Sequence, residues 1–111
     1  MRLPNAERAV VDIVKLRDYC LSETHLRGRH KARVFKATLG VTADHAEELR
    51  QALLAAAVAE EAQLAYSDDF GARYTIDFEL MSNGGRATIR STWIVRTGED
   101  FARLTTCYVL V

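Results

Sequence analysis

The chain has 111 residues, 49% of them apolar, and its 15 lysines and arginines are matched by 15 aspartates and glutamates. That length makes one domain, residues 1–111, able to bury about two-thirds of the surface its unfolded chain would expose, so a core forms without disulfide staples. A net charge of zero excludes a generic, electrostatically driven nucleic-acid binder, while leaving room for a local basic patch.

Cys20 and Cys107 fit neither a disulfide framework nor a metal spacing, and each lies on an apolar stripe, so both read as small buried hydrophobes. No apolar run is long enough to span a bilayer, and Met1–Pro4 has no signal-peptide pattern. A soluble cytoplasmic protein of a reducing compartment, with no membrane partner, is therefore expected.

In chain order, Ala9–Val11 reads as a short edge strand or an extended lead-in. Asp12 follows as an N-cap, its carboxylate able to accept from the free N–H groups of the next turn. Ile13, Leu16 and Cys20 then fall on one helical stripe with Tyr19 and Leu21 beside it, while Lys15, Arg17 and Asp18 face water. Ser22–Gly28 is too polar and too short to be an element. A second helix begins near Arg29, burying Ala32, Phe35 and Leu39 and ending at Gly40, where a left-handed C-terminal residue belongs. Thr42 caps a third helix whose early Asp44, Glu47 and Glu48 suit the helix dipole, with Ala46, Leu49, Leu53, Ala56 and Ala57 as its core stripe. That helix ends near Glu60–Glu61, and Gln63–Tyr66 reads as a further strand before a loop at Ser67–Gly71.

Three strands close the chain. Tyr74–Leu80 alternates apolar and polar residues, the period of a half-buried strand. Ser82-Asn83-Gly84-Gly85 is a hairpin turn in which Asn and Gly tolerate positive φ. Ala87–Arg96 carries the only tryptophan, Trp93, and after Thr97–Asp100 the last strand runs over Arg103–Leu110. The fold class is thus α+β, with about three N-terminal helices packed on one face of a three- to four-stranded antiparallel sheet.

A two-residue Asn83–Gly84 turn sets Phe78 opposite Ile89 and Leu80 opposite Ala87, and on the other face Asp77 opposite Arg90 and Thr75 opposite Thr92. Ile76, Phe78, Ile89, Trp93 and Val95 are then the core face, shared with Leu16, Phe35, Leu49 and Leu53. The second turn leaves two registers open. An even one joins Thr92 to Thr106 and Arg90 to Tyr108 on a polar open face; an odd one turns Leu104, Thr106 and Tyr108 to the core.

Chemistry has two candidate locations: that open face and the basic stretch His25-Leu26-Arg27-Gly28-Arg29-His30-Lys31. The stretch leads into a helix N-terminus, where free N–H groups and the dipole favour an anion such as a phosphate, and Gly28 allows close backbone approach. Its bland counterpart is a solvated basic loop, and that of the open face an ordinary solvated sheet surface. The histidines, His25, His30 and His45, have no i, i+4 pair, so no metal or cofactor is expected. No Gly-x-Ser-x-Gly turn or cysteine–histidine pairing supports nucleophilic catalysis.

Lys15-Leu16 with Tyr19, His25-x-x-Gly28-x-x-Lys31-Ala32 with Phe35 and Gly40, Gly71 with Tyr74, Thr92-Trp93 and Leu104-x-Thr106-x-Tyr108 together resemble a bacterial domain of unknown function. That domain occurs in small proteins and at the C-termini of polymorphic toxins. It looks like the wider barnase–EndoU–colicin–RelE group of ribonucleases, whose active site lies on the open face of the sheet. The resemblance implies His25 as general base or acid, Lys31 and Arg90 as phosphate-holding groups, and Thr92 and Thr106 as groups that orient the scissile phosphate. Tyr108 would stack or donate a hydrogen bond, with Arg27, Gly28 and Arg29 contacting substrate. A metal-independent ribonuclease of a toxin–antitoxin or polymorphic toxin system follows, with RNA as substrate and a cognate antitoxin or immunity protein as partner. The alternative is a non-catalytic interaction module, antitoxin- or immunity-like, that binds protein through the same face.

Overall fold

The computed structural model describes residues 1–82 and 84–111. Asp12 opens the first helix through its Oδ1, which accepts from the backbone N–H of Val14 at 2.9 Å. This helix, α1, is α-helical only over Ile13–Lys15 and then widens into a π-helical turn over Leu16–Cys20. The i→i−5 bond that marks the widening runs from Leu21 N–H to Leu16 O at 2.8 Å. The wider turn brings Leu16, Cys20 and Leu21 inward together, each at most 2% exposed.

Helix α2 spans Arg29–Leu39 and ends at Gly40 as the sequence indicates. A 3₁₀ turn at Ala43–His45 precedes α3, Ala46–Ala59, and is tied by His45 Nδ1 accepting from Thr42 N–H at 3.0 Å. Four strands follow, β1 (Gln63–Asp68), β2 (Gly71–Ser82), β3 (Gly85–Arg96) and β4 (Arg103–Val109), in the order β1-β2-β3-β4 and all antiparallel. The loop expected at Ser67–Gly71 shrinks to a turn at Asp69–Phe70, because β1 runs to Asp68 and β2 starts at Gly71 instead of Tyr74.

The first hairpin has the expected register, with Phe78 opposite Ile89, Leu80 opposite Ala87, Asp77 opposite Arg90 and Thr75 opposite Thr92. The conformation expected of Asn83 in its turn lies outside the described residues. Ile76, Phe78, Ile89 and Trp93 share one core with Leu16, Phe35, Leu49 and Leu53, as their matched periodicities require. Val95 packs against this core but is only partly buried. Ser91 is the one polar side chain in it among the described residues. Its hydroxyl donates to Ile76 O at 2.8 Å and accepts from Trp93 Nε1–H at 2.9 Å, so the group is satisfied.

The second hairpin combines the two open registers. Arg90 faces Tyr108 and Thr92 faces Thr106, but Trp93 faces Leu104, so a β-bulge leaves one residue extra on β4. Leu104, Cys107 and Val109 consequently all reach the core while Tyr108 stays opposite Arg90. The lead-in at Val10 lies along the outer edge of β4 as a single parallel bridge to Arg103, with Val10 N–H donating to Ala102 O and Leu104 N–H to Val10 O, both at 2.9 Å. At the opposite edge, every residue of β1 is exposed.

Cys20 and Cys107 are fully buried free thiols, one on α1 and the other on β4. The influence of each thiol on the other draws the Cys20 pKa down and, together with burial, pushes that of Cys107 up. Thiol titration after denaturation without reductant should count both cysteines, whereas the folded chain should react slowly. Finding neither in the denatured chain would reveal a bridge.

Candidate functional site

Residues 22–28 fold by satisfying their own backbone. The Ser22 hydroxyl accepts from Thr24 N–H at 3.3 Å and His25 N–H at 3.1 Å, and His25 Nδ1 accepts from Arg27 N–H at 3.0 Å and Gly28 N–H at 3.1 Å. The His25 ring stands edge-on to Tyr19, with centroids 4.7 Å apart. Because Nδ1 is an acceptor twice over, the proton of the neutral ring sits on Nε2. His25 therefore presents a donor outward; the expected base role would need the opposite tautomer, whose Nδ1–H would face two N–H groups.

The same bonds revise the phosphate cradle expected at the start of α2. Arg27 N–H and Gly28 N–H are held by His25 Nδ1, and Arg29 N–H donates to His25 O at 2.9 Å, so these groups are not free for an anion. Gly28 is buried, and a Cβ there would lie 2.1 Å from Tyr19 O. Its glycine is required by packing against α1, not by approach to a ligand.

Facing this loop, the β4 bulge presents Thr105 and Thr106. Thr105 Oγ1 donates to Thr92 O at 3.0 Å and lies 2.5 Å from Thr92 Oγ1, so Thr105 occupies the place beside Thr92 expected of Thr106. The Thr106 hydroxyl instead lies 3.9 Å from Cys20 Sγ. Lys15, expected to face water, is half-buried and donates its ammonium to Thr105 O at 3.2 Å.

Between loop and bulge is an open cleft of about 730 Å³ lined by Asp12, Lys15, Asp18, Tyr19, His25, Arg27, Thr105 and Thr106. Asp18 is held by Arg17 at 2.9 Å, and that hydrogen bond keeps its carboxyl below the usual range. Asp12 uses Oδ1 as a helix cap and has no ion-pair partner among the described residues. Of the candidates from sequence, His25, Arg27 and Thr106 meet here, joined by the unanticipated Asp12, Lys15 and Thr105.

Arg90, Lys31 and Tyr108 form a neighbouring cluster. Arg90 grips Asp77 with two bonds, Nε to Oδ1 at 2.9 Å and Nη2 to Oδ2 at 2.8 Å, and the Lys31 ammonium lies 4.9 Å from the centroid of the Tyr108 ring. Arg29, at the start of α2, is half-buried and does not line the cleft. No group of three or more metal-ligating side chains occurs among the described residues.

The Arg90 hydrogen bond lowers the pKa of Asp77, and Asp77 raises that of Arg90. A depressed carboxylate contributes stability that is fully present above its unfolded value of about 3.9 and is lost as pH falls through its folded value. Asp77→Asn should therefore flatten the stability profile below about pH 4 and leave its shape near neutrality unchanged. Urea unfolding from pH 2 to 7 measures this. Because both side chains are more than a third exposed, the difference should be small.

Residues 2–111 match the family described as "Domain of unknown function (DUF6883)". No curated protein matches the sequence. Among solved structures, a chain described as part of a contact-dependent growth inhibition toxin–immunity protein complex from Klebsiella pneumoniae 342 superposes with a TM-score of 0.71. It is 18% identical, and the match covers 91% of this chain and 99% of that one. At that identity the likeness is one of fold.

Proposed function

The chain belongs to the DUF6883 family, and from that membership and the cleft's geometry we propose that it is a toxin-type, metal-independent ribonuclease, restrained by a cognate antitoxin or immunity protein and acting on RNA in the cytoplasm. The observation that carries this reading is the convergence of Lys15, His25 and Arg27 with Asp12 in one open cleft beside Thr105. The likeness in fold to a chain of a toxin–immunity complex supports the toxin-associated setting.

Metal-free RNA cleavage needs a proton acceptor for the attacking 2′-hydroxyl and positive charge on the phosphorane as the bond to the 5′-oxygen breaks. Asp12 is the cleft carboxylate outside an ion pair and takes the acceptor role. Lys15 and Arg27 supply charge, the His25 Nε2–H donates to a non-bridging phosphate oxygen, and the departing 5′-oxygen takes its proton from water as the 2′,3′-cyclic phosphate forms. Lys31 and Arg90 lie beyond this centre and serve the strand of RNA that continues over Tyr108. Arg90 enters with its charge already balanced by Asp77.

The purified chain, incubated with total RNA in EDTA, should cleave it, and induced expression should arrest growth. Neither cleavage nor arrest would assign the open face to the alternative role, a non-catalytic module that binds a protein partner.

A further inference from the structure

Resting on the ribonuclease reading, we propose that the tips of the two outer hairpins form a separate subsite that stacks one flanking base of a single-stranded RNA and holds its phosphate. A second cleft, of about 510 Å³, is lined by Phe70, Arg73, Ile94, Arg96, Thr97 and Thr105, with Asp69 beside them. Thr105 lines this cleft and the one holding His25, so the two are adjacent across β4.

Phe70 is 72% exposed, yet its backbone is held firmly in place. Phe70 N–H donates to Asp68 Oδ1 at 2.9 Å, Phe70 O accepts from Thr97 N–H at 3.0 Å, and the Thr97 hydroxyl donates to Asp69 O at 2.9 Å. An aromatic ring presented to water from a fixed turn is a stacking platform that any base can use. Beneath it, Ile94 is 8% exposed on the otherwise polar face, flanked in the neighbouring strands by Arg73 and Arg103.

The cations beside the ring fit a phosphate. Arg96 makes no ion pair among the described residues. Arg73 reaches Asp68 with Nη2 at 3.4 Å and lies 5.3 Å from the Tyr66 ring centroid, but its Nε is buried and has no hydrogen-bond partner. A buried donor without an acceptor is disfavoured, so a shift of the Arg73 guanidinium toward a phosphate in this cleft would give it a partner it now lacks. Arg103 is paired with Glu99 through two bonds at 3.0 and 2.9 Å and is not offered to the ligand.

The test uses the full chain and a 2′-O-methyl oligouridylate of about eight nucleotides, which lacks the attacking hydroxyl and so reports binding alone. Fluorescence anisotropy at low salt in EDTA should show Phe70→Ala weakening binding about 5- to 150-fold, the loss of one stacked base, with Phe70→Trp restoring it. Arg96→Ala should reduce the slope of log affinity against log salt by about 0.7, one phosphate contact on a single strand. The exposed positions allow every variant to fold, which circular dichroism checks. Wild-type affinity in Phe70→Ala, with total RNA still cleaved by the unmodified chain, would overturn the subsite alone. A wild-type chain that neither binds the oligomer nor cleaves RNA would overturn the subsite and the ribonuclease reading together.

Discussion

Trp93→Ala should lower the stability of the fold by about 3–5 kcal/mol. Trp93 is completely buried in the inner strand β3, between Tyr74 and Leu104, and its indole N–H is held by Ser91. Truncation removes the largest side chain of the core and leaves a cavity between sheet and helices that cannot collapse without moving the β4 bulge beside it. Domains of this size are stable by about 5–15 kcal/mol, so the loss takes a large part of the total. In urea the midpoint should fall with little change in slope. A loss under about 1 kcal/mol would mean that the helices do not cover this face of the sheet.

His25→Asn should leave the fold nearly as stable as before and reduce RNA cleavage about 10²- to 10³-fold, the usual consequence of removing one donor from developing negative charge. The choice of asparagine follows from the loop. His25 supports Arg27 N–H and Gly28 N–H through Nδ1, a task an asparagine Oδ1 takes over readily. It has no counterpart to Nε2–H. His25→Ala would mix the two effects by releasing both backbone donors. Undiminished cleavage by His25→Asn would make the histidine a loop-forming residue and nothing more. Arg90→Ala gives the contrasting case: it removes a partly exposed ion pair beyond the reacting centre, so it should lower stability only slightly and cleavage far less than His25→Asn.

The elements whose apolar spacing is regular were legible in the sequence. Tyr74–Leu80 alternates without a slip and pairs as expected, and the stripes of α2 and α3 are the buried residues observed. What the sequence hid are two places where the period changes by one residue. In β4, Leu104, Cys107 and Val109 are spaced by three and then two, which no regular strand can bury on one face; the bulge at Thr105–Thr106 absorbs the difference. In α1, Leu16 and Leu21 are five apart, and only a π-helical turn brings both inward with Cys20. Each irregularity moves a functional candidate. The bulge exchanges Thr106 for Thr105 beside Thr92, and α1 packs so that Lys15 turns from water to the β4 carbonyl. Asp12 was legible as a cap, but its place in the cleft depends on Thr105 and Thr106 near the other end of the chain, which local pattern does not encode.

The strip of β structure at Val10 also bears on how fast this domain assembles. It joins residues 10 and 103, nearly opposite ends of the chain, while α2 and α1 pack on β3 and β4. Helices α1 and α2 form early in the sequence but bury their apolar stripes on β4 only after the last strand has arrived. Non-local pairing of this kind slows closure, because loop entropy is lost before any contact repays it, and places mixed and all-β domains in the millisecond-to-second range. Folding should therefore be limited by docking of β4, and refolding rates should respond more to changes at Leu104 or Val10 than to changes in the local hairpin of β2 and β3.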